Sequence, residues 1–210
     1  MMNTRHFFFS CLMAVCCLLL SGCALNTSQP PATRYDFGPV SSVPSGQIVP
    51  TDLPALVVSQ VSAPDWLNST RMYYRLAHVN EQQTRFYTLS SWNAQPSKLF
   101  RERFHSRIVA AGGETGDGVM SKANQLRLII HLEDFSQYFL DDSDSKARIA
   151  LRVSVPGRDG SVLRKSFFHQ VDAPTPDAAG GAKALSVATD EVITQVLDWI
   201  VENHKKGEVL

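Results

Sequence analysis

Beyond residue 23 the chain has no cysteine: its four lie at Cys11, Cys16, Cys17 and Cys23. A domain built from the remainder has no thiol for a disulfide, a zinc site or a thiolate nucleophile, and its apolar core alone must hold it together. An excess of either charge is also missing, with 20 Lys+Arg against 20 Asp+Glu, which argues against a nucleic-acid binder. After the N-terminus no apolar run approaches the roughly 20 residues of a membrane-spanning helix. None of His78, His105, His131, His169 and His204 stands in HExxH or HxH spacing, and no serine lies in GxSxG. The glycine-rich stretch from Gly112 to Gly118 lacks the GK[ST] ending of a phosphate loop. Asp141, Asp142 and Asp144 lack the glycine and distal glutamate of a calcium loop. The sequence thus offers no catalytic constellation, no metal site and no cofactor motif.

The N-terminus, in contrast, is highly patterned. One positive charge at Arg5 precedes an apolar run of 14 residues from Phe7 to Leu20, too short to span a bilayer. It ends in Leu20-Ser21-Gly22-Cys23, which reads as a lipobox. Cleavage between Gly22 and Cys23 would remove residues 1–22, and the Cys23 thiol would take diacylglycerol and its amine an acyl chain. Two or more acyl chains, at about 0.8 kcal/mol per buried methylene, hold a protein stably on a membrane. Ala24 and Leu25 follow, with no aspartate to act as an inner-membrane retention signal. By resemblance to Gram-negative lipoproteins, this implies sorting to the outer membrane, on its periplasmic face.

Residues 23–54 carry Pro30, Pro31, Pro39, Pro44, Pro50 and Pro54 among many Ser and Thr, the composition of a tether. Stretched out at roughly 3.1 Å per residue, such a segment would reach about 90 Å. Arg34-Tyr35-Asp36-Phe37 interrupts it, with two aromatics at strand spacing. Exposed aromatics gain a bare tether nothing, so Tyr35 and Phe37 are expected to dock, either on their own domain or on a neighbouring subunit.

The domain is expected over residues 55–204, followed by a tail at 205–210. Leu56 to Val61 is a short apolar strand, and Met72, Tyr74 and Leu76 share one face of a second. A third runs from Arg85 to Leu89, and Trp66 and Leu67 lie in the link between the first two. Pro96 suits the first turn of a helix whose Phe100, Phe104, Ile108 and Ala111 form a core stripe, stopped by Gly112-Gly113. Lys98, Arg101, Arg103 and Arg107 on the same helix read as a solvated basic face. Alternating strands follow at Leu126–Leu132 and Ala147–Val155, then one from Val162 to Val171. The last helix runs from about Asp177 to Glu202, with Leu185, Ala188, Val192, Val196 and Trp199 on its core side; Gly180-Gly181 would delay its start towards Ala182. The order is βββα-βββα, and strand links of 2–8 residues favour antiparallel neighbours. The fold class expected is mixed α+β, with one mixed, largely antiparallel sheet covered by two main helices.

Several of these stretches together resemble a known family. They are Arg34-Tyr35-Asp36-Phe37 after the lipobox, Val57 to Pro64, Met72-Tyr73-Tyr74-Arg75, Tyr87 to Trp92, Leu132 to Gln137, and an Ala184-Leu185 helix closing in Trp199-Ile200. In this order the chain is similar to the PqiC-like auxiliary lipoproteins of ABC-type and MCE-type lipid transport systems. It departs at Trp66-Leu67, where the family more often has a Leu-Asp pair. The resemblance implies a periplasmic subunit that docks a lipid conduit at the outer membrane and makes or breaks no bond. It implies an MCE-domain partner, an indirect link to an inner-membrane transport component, and a homo-oligomeric ring. Tyr35, Phe37, Trp66 and Leu67 are the candidate partner contacts. A structural lipoprotein of a secretin or lipopolysaccharide exporter would share the anchor, and a lipid-modifying enzyme would need a nucleophile and base that the sequence does not show.

Overall fold

A computed structural model describes residues 31–39, 53–113, 125–157 and 159–207. The lipobox, Gly22 and Cys23 lie outside the described residues, as do most of the proline-rich segment and the Glu114–Gly118 stretch. From Ala32 onward the described residues belong to one folded unit. In it, seven strands form one mixed sheet: β1 (Thr33–Tyr35), β2 (Leu56–Ser62), β3 (Arg71–Leu76), β4 (Arg85–Trp92), β5 (Leu126–Phe139), β6 (Ser145–Pro156) and β7 (Val162–Asp172). Three helices accompany them, a single turn α1 (Ala77–Asn80) and the two long ones α2 (Pro96–Ala110) and α3 (Ala178–Lys205). The βββα-βββα order holds for the two long helices, with β1 added in front and the single-turn α1 set between β3 and β4.

The spine is β5, long enough to take two partners on one edge. Its first half pairs in parallel with β2, Leu56 opposite Leu126 and Ser62 opposite His131. Its last residues pair in parallel with β3, Tyr74 opposite Gln137 and Leu76 opposite Phe139. The short β2–β3 link is therefore not the antiparallel turn that its length suggests. It is an excursion, containing a 3-10 turn at Asp65–Leu67, between two strands laid end to end along the same neighbour. On the other edge β5, β6 and β7 form long antiparallel ladders. Beyond β3 come antiparallel β4 and then parallel β1, in the order β1-β4-β3-β5-β6-β7.

One face of this sheet is apolar because every second residue of β5 and β6 is. Leu128, Ile130, Leu132, Ile149, Leu151 and Val153 are fully buried against Phe100, Phe104 and Ile108 of α2 and against Leu185, Ala188, Val192 and Val196 of α3. Trp199 meets Phe167 edge-on at 5.7 Å. Gly112 ends α2 with a φ of +73°, a conformation that only glycine takes without strain.

Three sequence expectations change here. First, α3 begins at Ala178 rather than Ala182, because the Asp177 carboxylate accepts the Gly180 N–H at 2.8 Å as an N-cap. A Cβ on Gly181 would lie 2.1 Å from Gln137 Oε1, so the missing side chain is what lets the helix start against the sheet. Second, Arg103 and Arg107 are not solvated: they are 4% and 2% exposed. Arg103 forks onto Asp190 of α3 at 2.7 and 2.5 Å, and Arg107 donates to Thr194 at 3.0 Å. Only Lys98 and Arg101 of that basic set face solvent. Third, residues 33–38 are part of the domain instead of the tether. Tyr35 sits opposite Trp92, and Phe37 enters the core edge-on to Trp92 at 5.7 Å.

Candidate partner-binding surface

The four partner-contact candidates divide by burial. Phe37 and Leu67 are core residues, 6% and 0% exposed, and present no side chain to another protein. The reason for Leu67 is the 3-10 turn, which directs it inward while Trp66 stays on the surface. Tyr35 is half-buried against the core from the sheet edge. Trp66 is also half-buried, stacked edge-on to Tyr73 at 5.2 Å.

Trp66 is one member of a larger set, on the sheet face opposite the helices. Strand alternation gives that face Arg71, Tyr73 and Arg75 from β3, Tyr138 from β5, Arg148 from β6 and Phe168 from β7. Tyr73 lies opposite Phe86 of β4, and Arg75 opposite Tyr138. Guanidinium groups lie over these rings in succession: Arg71 over Phe86 at 4.2 Å, Arg75 over Trp66 at 5.8 Å and over Tyr138 at 5.9 Å. Arg148 then stacks between Tyr138 at 4.5 Å and Phe168 at 4.9 Å. The row crosses β4, β3, β5, β6 and β7, about 19 Å at ordinary strand spacing.

Local chemistry fixes these groups. Arg75 donates to the carbonyls of Glu81 and Gln82 at 3.1 and 3.3 Å, while its Nε is buried with no hydrogen-bond acceptor, so ring faces complete its surroundings. Asp134 accepts from the hydroxyls of Ser136 at 2.6 Å and Tyr138 at 3.2 Å, and lies 3.7 Å from Arg148 Nε. Burial, and next the Asp134 charge, hold the Tyr138 hydroxyl above its ordinary range, so it stays a protonated donor. Each cation–π contact contributes about 0.5–1 kcal/mol where exposed, and more when desolvated. Phe86 and Phe168 remain 41% and 51% exposed. Preset aromatic and arginine side chains on a pleated surface are the composition enriched at protein–protein contacts.

The other polar groups are occupied structurally. His131 Nδ1 bonds Ser62 at 2.9 Å, and His169 bonds Glu191. Tyr87 donates to Gln137 at 2.9 Å and Gln137 to Ser145 at 2.8 Å beneath the start of α3. Burial first, then Tyr74 and Asp177, push the Tyr87 hydroxyl well above the ordinary tyrosine range. Asp141 turns back on the N–H groups of Ser143 and Asp144 at 2.7 and 2.8 Å, making the polar turn expected from the sequence. Among the described residues no cluster of three His, Cys, Asp or Glu is placed to hold a metal, and no helix is long and apolar enough to cross a membrane.

The sequence singles out Trp66 but not the row around it. The signal was present in Arg71-x-Tyr73-x-Arg75, the polar alternate of Met72-x-Tyr74-x-Leu76, but its continuation on β5–β7 depends on a register that no local pattern shows.

The class defined by this architecture is a mixed α+β domain with one helix-covered sheet face and one open, aromatic-cationic face. No family model matches the chain, and no curated protein matches it. Solved structures do share the fold. A crystal structure of a Xanthomonas campestris protein of family DUF330 superposes with a TM-score of 0.63 at 17% identity, covering 85% of this chain and 96% of that one. The crystal structure of an uncharacterised protein superposes with a TM-score of 0.60 at 14% identity, covering 83% and 99%.

Proposed function

We propose that this chain is an outer-membrane lipoprotein of the PqiC-like kind, facing the periplasm and serving as the docking subunit of an MCE/ABC-type lipid transport system. The observation that carries the reading is a lipobox placed ahead of a domain with the fold of a DUF330 protein, the family to which PqiC-like lipoproteins belong. The open face supports it, because its aromatic and arginine side chains have the composition enriched at protein–protein contacts. In this role the domain holds the end of a conduit against the membrane through the Trp66–Phe168 row, and lipid passes without covalent chemistry. An MCE-domain protein is the partner, and an inner-membrane transport component is reached only through it.

The test is co-purification of the full lipoprotein from detergent-extracted native membranes, with bound proteins identified by mass spectrometry. An MCE-domain protein that is lost when the domain is deleted and the anchor kept is the expected result. A secretin or a lipopolysaccharide-export protein in its place would overturn the transport role.

A further inference from the structure

We propose that β7 pairs edge to edge with β7 of a second copy of this chain, antiparallel about a two-fold axis at Phe168, so that two sheets become one. This goes beyond the docking role above and does not depend on it. The sheet ends on one side in the three residues of β1 and on the other in the 11 residues of β7. Among the described residues nothing pairs with the outer edge of β7. The strand holds neither proline nor glycine, and its register with β6 shows no bulge. Its one lysine, Lys165, lies on the helix side over the Phe167 ring at 5.1 Å. A long, straight, open edge of this kind is the sort that accepts another strand.

The ladder to β6 fixes which groups this edge offers. Its phase shows at both ends: Gly157 N–H donates to the Ser161 carbonyl at 2.8 Å, and Ala173 N–H to the Ser145 carbonyl at 2.8 Å. Between them the register runs unbroken. Hydrogen-bonded pairs alternate with non-bonded ones in an antiparallel ladder, so the odd-numbered residues of β7 turn their N–H and C=O groups towards β6. The even-numbered ones, Arg164, Ser166, Phe168, Gln170 and Asp172, turn theirs outward. All five are exposed.

A second copy offers the same five residues, and charge and length choose how they meet. Parallel alignment in register would set Arg164 against Arg164. Antiparallel alignment about Phe168 sets Arg164 opposite Asp172, Ser166 opposite Gln170 and Phe168 opposite its copy, and it uses every outward group of the five. Sliding by one residue would set outward groups against inward ones. Sliding by two would shorten the overlap and separate Arg164 from Asp172. Asp172 already meets Lys146 of its own chain at 2.5 Å, but its side chain is 78% exposed and has an oxygen left for the second copy's guanidinium. Phe168 belongs to the aromatic–arginine row, and its ring stays on the open face with Arg148 over it at 4.9 Å. Pairing therefore joins two such rows end to end and covers neither. The contact is self-complementary, as a two-fold interface must be.

The experiment weighs the full chain, purified in detergent, by light scattering over a concentration series, with the detergent mass subtracted. Two chains per particle are expected at the upper concentrations. Ser166→Pro removes an outward N–H that β6 does not use, so it should abolish pairing and leave the thermal melt close to that of the wild type. Arg164→Asp and Asp172→Arg should each weaken association roughly tenfold, and the two together should recover most of it, because the exchange rebuilds the ion pair across the axis. The recovery reads the contact between copies, since the bond from Asp172 to Lys146 is lost in the single and the double variant alike. One chain per particle at every concentration would overturn the proposal. So would pairing that survives Ser166→Pro, or a double variant that associates no better than Asp172→Arg alone.

Discussion

Arginines occupy both sides of this sheet, and the two sets are satisfied by different chemistry. On the helix side, Arg103 is buried between α2 and α3 with both ends of its fork on Asp190, and Arg107 reaches Thr194 beside it. Burial draws the Arg107 guanidinium below its ordinary range, the neighbouring Arg103 adds to this, and Asp190 opposes it. On the open side, Arg71, Arg75 and Arg148 lie over aromatic rings. A carboxylate fork consumes a guanidinium's donors and locks two helices together. A ring takes only a guanidinium's flat face, and here the edges meet neighbours of the same domain: Arg75 donates to the Glu81 and Gln82 carbonyls, and Arg148 lies 3.7 Å from both Glu81 and Asp134. The same residue type is thus a fastener between helices on one face and a ring-stacked cation on the other.

That contrast breaks most readily on the buried side. Asp190→Ala leaves Arg103 buried without its counter-charge and should cost about 3–5 kcal/mol, seen as an early urea midpoint or a failure to fold. Replacing the pair together, Arg103→Met with Asp190→Leu, should recover most of the loss, because apolar packing substitutes for a buried ion pair. Phe37→Ala removes a ring from the core and should cost about 3 kcal/mol. Limited proteolysis of that variant should cut near residues 33–38 sooner, since Phe37 is the buried side chain of that segment.

A smaller effect separates helix capping from both arginine sets. The Gly180 N–H first, and then the Thr175 hydroxyl, hold the Asp177 carboxyl below the usual carboxylate range. With the folded pKa lowered, this contribution is present at pH above the unfolded value near 3.9. It is lost as pH falls through the folded one. Asp177→Ala should cost about 1 kcal/mol at neutral pH, and Asp177→Asn should keep most of the cap while losing its acid dependence. Thermal melts of the three proteins between pH 2 and pH 7 check this.

On the open side the stability changes should be smaller. Arg75→Ala and Arg148→Ala each remove ring stacking worth about 1 kcal/mol or less, and Trp66→Ala removes in addition a half-buried ring packed against the core and should cost somewhat more. As hot-spot residues of a docking surface, each should weaken partner binding by about 2 kcal/mol, roughly 30-fold. A Trp66→Ala protein with a shifted melt and full binding would move Trp66 from the binding face to the fold.

The element order was legible because it is written in local periodicity. The alternation at Leu126–Leu132 and Ala147–Val155, the Phe100-Phe104-Ile108 stripe and Pro96 all act within a few residues of themselves. What escaped was set by distant partners. Arg103 and Arg107 look solvated from their own helix, and their partners lie 87 residues further on. The placement of β2 and β3 end to end on β5 follows from the length of β5, and the link between them carries no sign of it. The start of α3 hangs on Gly181 passing Gln137, another contact between remote segments. The open-face row failed to show for the same reason: its six rings and guanidiniums on β3, β5, β6 and β7 come from separate stretches that only the register aligns.

The most direct test of the account is to compare capture of the proposed partner, an MCE-domain protein, by the wild-type chain and by a variant carrying Arg75→Glu and Arg148→Glu, with thermal melts of both. The account predicts that the variant stays folded and on the membrane but loses the partner. Full capture by the folded variant would contradict a docking role for this face.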